Sequence, residues 1–153
     1  MRWLRGAMMA AVLALSLQAQ AGAFKQVYVD DAGVVHLVTA AGKDMRMAGK
    51  ATADTAQLAA DGNSAVWQAA DNEIRLYRRG KTRSIKCDPF IREFWFWKNG
   101  SRIAIDCGGS HFAGREILYD SFTLKQLESF DQAEVPTEKR PEWSSSSDLY
   151  KPD

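Results

Sequence analysis

Cysteine and histidine are scarce in this 153-residue chain, with two of each. Two cysteines fall short of the four ligands a structural zinc site needs. Two histidines leave little material for acid–base or metal chemistry. No phosphate loop, dinucleotide fingerprint or metal motif is present. Asp30-Asp31 is too sparse for calcium, whose loops need several oxygen ligands at set spacing. No cofactor or metal is therefore expected. Excess charge is also missing: 20 Lys+Arg stand against 19 Asp+Glu. Nothing global drives such a chain toward nucleic acid or an anionic membrane. Long apolar runs are absent too. The best, Ala7 to Leu17, falls short of the roughly 20 residues a spanning helix needs, so no membrane insertion is expected of the mature chain.

The first residues read as an export leader. Arg2 and Arg5 make a positive start to the apolar run. Ala19-Gln20-Ala21 and Ala21-Gly22-Ala23 both fit the small-x-small cleavage pattern. Cleavage after Ala23 is the expectation, with cleavage after Ala21 as the alternative. Residues 1–23 are set apart on this basis as a signal peptide, which predicts a periplasmic or secreted protein. Loss of Arg2 and Arg5 leaves 18 basic residues against 19 acidic ones. In an oxidising compartment Cys87 and Cys107 are expected to pair. That bond closes a loop of about 20 residues and contributes ~3 kcal/mol through chain entropy. The alternative is two free buried thiols.

The body, residues 24–130, predicts an all-β domain of antiparallel meanders. Phe24–Val29 and Val34–Thr39 alternate or are rich in β-branched residues, and Asp44–Met47 is a third candidate strand. A short strand is expected near Gln57–Ala59. Strands at Ser64–Ala70, Glu73–Arg78 and Thr82–Cys87 follow, punctuated by Asp61-Gly62, Asp71-Asn72 and Arg79-Gly80. After Pro89 come Arg92–Trp97, the Asn99-Gly100 turn, Arg102–Cys107, a loop at Gly108–Gly114, and strands at Arg115–Asp120 and Leu124–Phe130. Phe94-Trp95-Phe96-Trp97 puts large aromatics on both faces of one strand, so both faces of that sheet must be covered. The tail, 131–153, holds Pro136, Pro141, Pro152 and Ser144 to Ser147. It is expected to be disordered or loosely docked. Trp143 and Tyr150 are either anchors or solvated tail residues.

The meanders repeat. Asp61 to Trp67 is answered by Asn99 to Ile105, Glu73 to Arg78 by Glu116 to Asp120, and Gly42-Lys43 by Gly80-Lys81. The offset is about 38 to 42 residues, in the range of one propeller blade. Trp97 to Ile105, followed by Glu116-Ile117-Leu118-Tyr119-Asp120, resembles a blade of the TolB-like propellers. These carry an aromatic before an Asp-Gly turn, an aliphatic strand and a strand ending in an Ile-Tyr type pair. Asn99 stands where the blades have aspartate. The resemblance implies about three propeller-like blades. Closed propellers have about four to eight, so a homodimer closing a ring is one consequence.

Candidate contact residues fall in two segments. Ser110, His111 and Phe112 sit in the glycine-bounded loop, where a β scaffold presents recognition residues. Arg75, Arg78 and Arg79 belong to a basic hairpin with Lys81, Arg83 and Lys86, suited to an acidic partner or an anionic glycan. The bland readings are a flexible connection and a solvated hairpin whose charges discourage edge pairing. A Ser110–His111–Asp106 hydrolase is disfavoured because no nucleophile elbow is present. His36 reads as an ordinary strand residue. The sequence thus predicts a non-enzymatic protein-binding module whose partner is another exported or envelope protein. The alternative is a small secreted inhibitor of a hydrolase such as lysozyme.

Overall fold

The computed structural model describes residues 22–52 and 54–145. The leader as far as Ala21, and Tyr150, lie outside the described residues. Eleven strands form three antiparallel meanders. β1 (Phe24–Val29), β2 (Val34–Thr39) and β3 (Asp44–Lys50) make the first sheet. β4 (Gln57–Leu58), β5 (Ser64–Ala70), β6 (Glu73–Arg78) and β7 (Lys81–Lys86) make the second. β8 (Ile91–Trp97), β9 (Arg102–Cys107), β10 (Arg115–Asp120) and β11 (Gln126–Asp131) make the third. Every strand lies beside its sequence neighbour, so each sheet is a local product of its turns. Asp30 caps the first turn by accepting the N–H groups of Ala32 and Val34, each at 2.9 Å. Arg79 and Gly80 both have positive φ, 50° and 76°, the backbone of a tight hairpin turn whose twist matches the strands.

Alternation along the strands decides how the sheets stack. In β5, Ala65 and Trp67 face the first sheet and pack with Val35, Leu37 and Tyr77. Val66 faces the other way, toward Ile103, Ile105 and Phe94 of the third sheet, alongside Ile74, Leu76 and Ile85. The second sheet is therefore sandwiched, as its two-sided apolar pattern requires. The disulfide predicted from the two cysteines joins Cys87 to Cys107, with Cα atoms 5.9 Å apart. It ties the end of β7 to the end of β9.

Order extends past the boundary drawn at residue 130: of the two states expected for the tail, disordered or loosely docked, residues 131–145 take the docked one, which corrects the disordered boundary at Asp131 for this stretch. This stretch, with a short 3-10 helix at Thr137–Lys139, packs on the outer face of the third sheet. Trp143 is buried against Ala104, Leu118, Trp95, Trp97 and Phe130. Its indole N–H donates to Glu128 Oε2 at 2.7 Å, and its carbonyl accepts the Trp95 indole N–H at 2.8 Å. The physical reason is the second face of β8. Its tryptophans need a cover, and one large aromatic held by two hydrogen bonds supplies it. The first strand begins at Phe24, as expected, and Ala23 just before it is hydrogen-bonded as well. Ala23 N–H donates to Asn63 Oδ1 at 3.1 Å, and Ala23 O accepts the Ala40 N–H at 2.9 Å.

Replacing Trp143 by alanine is expected to cost about 3–5 kcal/mol, measured as a lower urea midpoint, with a rise in Trp95 solvent exposure.

Candidate functional site

Strand direction places the two predicted contact segments at opposite ends of the sheets. The disulfide puts the β9–β10 loop beside the end of β7. The β6–β7 turn sits at the other end, where Arg78 Nη1 reaches Gly100 O at 3.4 Å. Strands of six or seven residues separate the two by roughly 20 Å. Ser110, His111 and Phe112 are thus together at one end, and Arg78 and Arg79 at the other. Arg75 joins neither group. It pairs with Glu73 at 3.3 Å and donates to Ala48 O on the first sheet at 3.4 Å.

The loop end is organised around Arg92, a residue the sequence reading did not single out. From β8 its Nη1 donates to Gly109 O at 3.1 Å and Phe112 O at 3.2 Å, fixing the loop backbone. Its Nη2 donates to Asp106 Oδ1 at 2.7 Å and Gln132 Oε1 at 2.6 Å. Gln132 then donates to the buried Glu116 at 3.0 Å, and Glu116 also accepts the Ser145 N–H at 2.8 Å. Burial pushes the Glu116 carboxyl up from its ordinary value, opposed by these two hydrogen bonds. The loop glycines follow from this arrangement. A Cβ on Gly114 would lie 2.3 Å from Arg92 Nη2, and one on Gly109 would lie 2.2 Å from the Phe112 ring. What this end holds out is apolar: Phe112 on the loop is 53% exposed, and Phe90, just before β8, 40%. Ser110 and His111 are exposed as well. A cavity of about 350 Å³ lies among Phe90, Arg92, Gly109 and Ser110. Asp106 is fully buried and held by Arg92, so it is committed to the loop scaffold rather than to His111.

A larger cleft, about 490 Å³, runs between the second and third sheets past Gln57, Gln68, Arg92, Glu93 and Trp95. Gln57 and Gln68 bridge it by donating to Phe94 O at 3.1 Å and Ile91 O at 3.2 Å.

At the other end Arg78 is buried. It donates to Ser64 Oγ, lies 3.8 Å from Asp61, and stacks 3.6 Å above the Phe122 ring. Burial lowers its pKa from the ordinary guanidinium value, opposed by Asp61. Arg83 donates to the carbonyls of Ser121 and Phe122. The hairpin read as solvated is therefore partly built into the contact between the second and third sheets.

A third group occupies the outward face of the first sheet. His36 Nε2 bonds Asp30 at 3.0 Å, its Nδ1 bonds Asp44 at 3.0 Å, and its ring stacks on Tyr28 at 4.6 Å. The Tyr28 hydroxyl donates to Asp44 at 3.1 Å. Two carboxylates on opposite ring edges hold the imidazolium and do not converge on a point a metal could occupy. Hydrogen bonding to Asp30 first, then Asp44, raises the His36 pKa. The bond from His36, then the Val34 N–H, lowers that of Asp30.

No protein-family model matches this chain, and no curated protein matches it.

Arg92→Leu is expected to destabilise the protein by about 3–5 kcal/mol, because Asp106 is left buried without its cation. Faster amide exchange confined first to residues 108–114 is the accompanying readout. His36 has a raised folded-state pKa, so its contribution is complete below pH ~6.5 and is lost as pH rises through the elevated value. Asp30 works in the opposite sense: its contribution is lost as pH falls through its lowered value. The Tm difference between the protein and His36→Gln is therefore expected to be widest near pH ~5–6 and to narrow with rising pH.

Proposed function

We propose that this chain is an exported, non-enzymatic binding module, built of propeller-like blades, that docks onto another exported protein through its loop end. The observation that carries the reading is the pair of exposed rings at this end: Phe112 on the loop that Arg92 fixes, and Phe90 in the β7–β8 connection, whose carbonyl accepts the Gly108 N–H at 3.0 Å. Each exposed phenylalanine forgoes roughly 1–2 kcal/mol of burial at about 25 cal/mol per Å², which a partner's apolar pocket recovers. Aromatic anchors dominate interface energies. A loop already ordered in the free protein lowers the entropy cost of docking. The cavity beside Phe90 has room for a side chain of the partner.

Support for export comes from the leader pattern and the disulfide. The hydrogen bonds of Ala23 favour cleavage after Ala21 over cleavage after Ala23, since the latter removes both. The blade reading is supported by the stacking of three meanders with the middle one covered on both faces.

The test is a pull-down with tagged protein beginning at Gly22 from the exported fraction of the native host. The protein is expected to retain one partner in near-stoichiometric amount. Phe90→Ser with Phe112→Ser is expected to lose it about tenfold or more, at unchanged Tm. Retention of the same partner by the double variant overturns the reading. Where the partner is a hydrolase, slowing of its turnover by the unmodified protein and not by the variant identifies the module as an inhibitor.

A further inference from the structure

We propose that the end opposite the loop carries a second, separate site that binds a phosphoryl group borne on a larger molecule. Arg78, Arg79, Lys81 and Arg83 line one cavity of about 250 Å³ around Phe122. Arg78 and Arg79 lie over that ring at 3.6 and 4.9 Å. Carboxylates do not balance this charge. Asp61 sits 3.8 Å from Arg78. Asp120 is already engaged by Arg102 at 2.9 Å and by the N–H groups of Phe122 and Thr123, each at 2.9 Å. Among the described residues neither Arg79 nor Lys81 has a carboxylate within ion-pair distance.

Two further observations point to a ligand. Arg78 is only 8% exposed, yet its Nε has no hydrogen-bond partner among the described residues. A buried donor left unmade is costly; Arg92 Nε is in the same state, but Arg78 shares its cavity with three further cations. Arg79 also occupies a left-handed turn position, φ 50°, where asparagine or glycine is favoured. The chain accepts that conformation and gains a guanidinium at the rim. On the other side of the same turn, a cavity of about 350 Å³ shares Arg78 and Arg79 and adds Phe24, Tyr77 and Asn63.

The chemistry selects the ligand class. A carboxylate brings one charge and two oxygens. A phosphoryl group brings up to about two charges and three terminal oxygens, which suit convergent guanidinium forks. The space beside the cations and the exposed aromatic edges leave room for the body that carries the group.

Pyrophosphate is the first probe, titrated into the full mature chain by calorimetry at fixed ionic strength. Saturable one-to-one binding is expected, with a rise in Tm that sodium chloride at equal ionic strength does not reproduce. Arg79→Asn with Lys81→Gln is expected to weaken binding about tenfold at unchanged Tm. Asparagine is chosen because it tolerates the left-handed position. Vesicles of phosphatidylglycerol, compared with phosphatidylcholine, separate the sources of the group. Vesicle binding lost in the double variant assigns it to a lipid headgroup; binding of soluble phosphates alone assigns it to a solute. The Phe90 and Phe112 double variant is expected to bind pyrophosphate normally, which keeps this site's test apart from that of the loop. No binding of any probe, equal binding by the Arg79 and Lys81 variant, or an equal Tm rise in chloride overturns the proposal.

Discussion

The constraint on which the rest of the structure depends is that a meander apolar on both faces must be covered on both faces. β5 and β6 present Val66, Ile74 and Leu76 to one side and Ala65, Trp67 and Tyr77 to the other. A sheet of that kind folds only as the middle layer. The same requirement passes to the third sheet. Its inner face is Phe94, Phe96, Ile103 and Ile105; its outer face is Trp95, Trp97 and Leu118. Among the described residues no further sheet covers that outer face, and the chain after β11 does so through Trp143. At about 25 cal/mol per Å² of apolar burial, the indole offsets part of the cost of ordering residues 131–145, and the hydrogen bonds of Gln132, Arg140, Trp143 and Ser145 add to it.

Where the sheets end, one arginine, Arg78, is buried and another, Arg92, is mostly so, and they differ in how fully they are compensated. Desolvating a cation costs several kcal/mol unless good partners replace water. Arg92 has four acceptors between 2.6 and 3.2 Å, one of them the buried Asp106 carboxylate. It is a structural brace, and its product is a fixed loop. Arg78 has Ser64, a carbonyl at 3.4 Å and a carboxylate at 3.8 Å, with Arg79 repelling it. Each leaves its Nε without a hydrogen-bond partner among the described residues, but Arg78 has the weaker set of acceptors and shares its cavity with Arg79, Lys81 and Arg83, which suits it to an external anion.

Strands and turns were legible because each meander is local. Gly33, Gly62, Gly80 and Gly100, all at positive φ, marked hairpins that need no long-range information. The two-sided aromatics of β8 announced that the third sheet has a cover, and the cysteine pair was expected on the premise of an oxidising compartment. The candidate site was only partly legible. The loop at 108–114 stood out by its glycines, but glycine reveals that something approaches closely and not what approaches; Arg92 is an ordinary strand residue in sequence. The separation of loop and basic hairpin depends on the parity of turns along successive strands, which composition does not carry. Trp143 was left between anchor and solvated tail residue by its Pro- and Ser-rich surroundings, whose average says solvent while one side chain says core.

The outward face of the first sheet closes the argument about what such a stack can join. A ring completed by a second copy needs free apolar faces at both ends of the stack. At one end the face of the third sheet is occupied by Trp143. At the other, Tyr28, His36 and Arg46 form a row across β1, β2 and β3, flanked by Asp30 and Asp44. Stacking another sheet there would desolvate an imidazolium and two carboxylates whose remaining lone pairs face water, a penalty of several kcal/mol per ion. The stack is thus terminated by aromatic cover on one side and by charge on the other. The sheet ends differ from both faces: Phe90 and Phe112 are exposed at one, and Arg79 and Lys81 at the other.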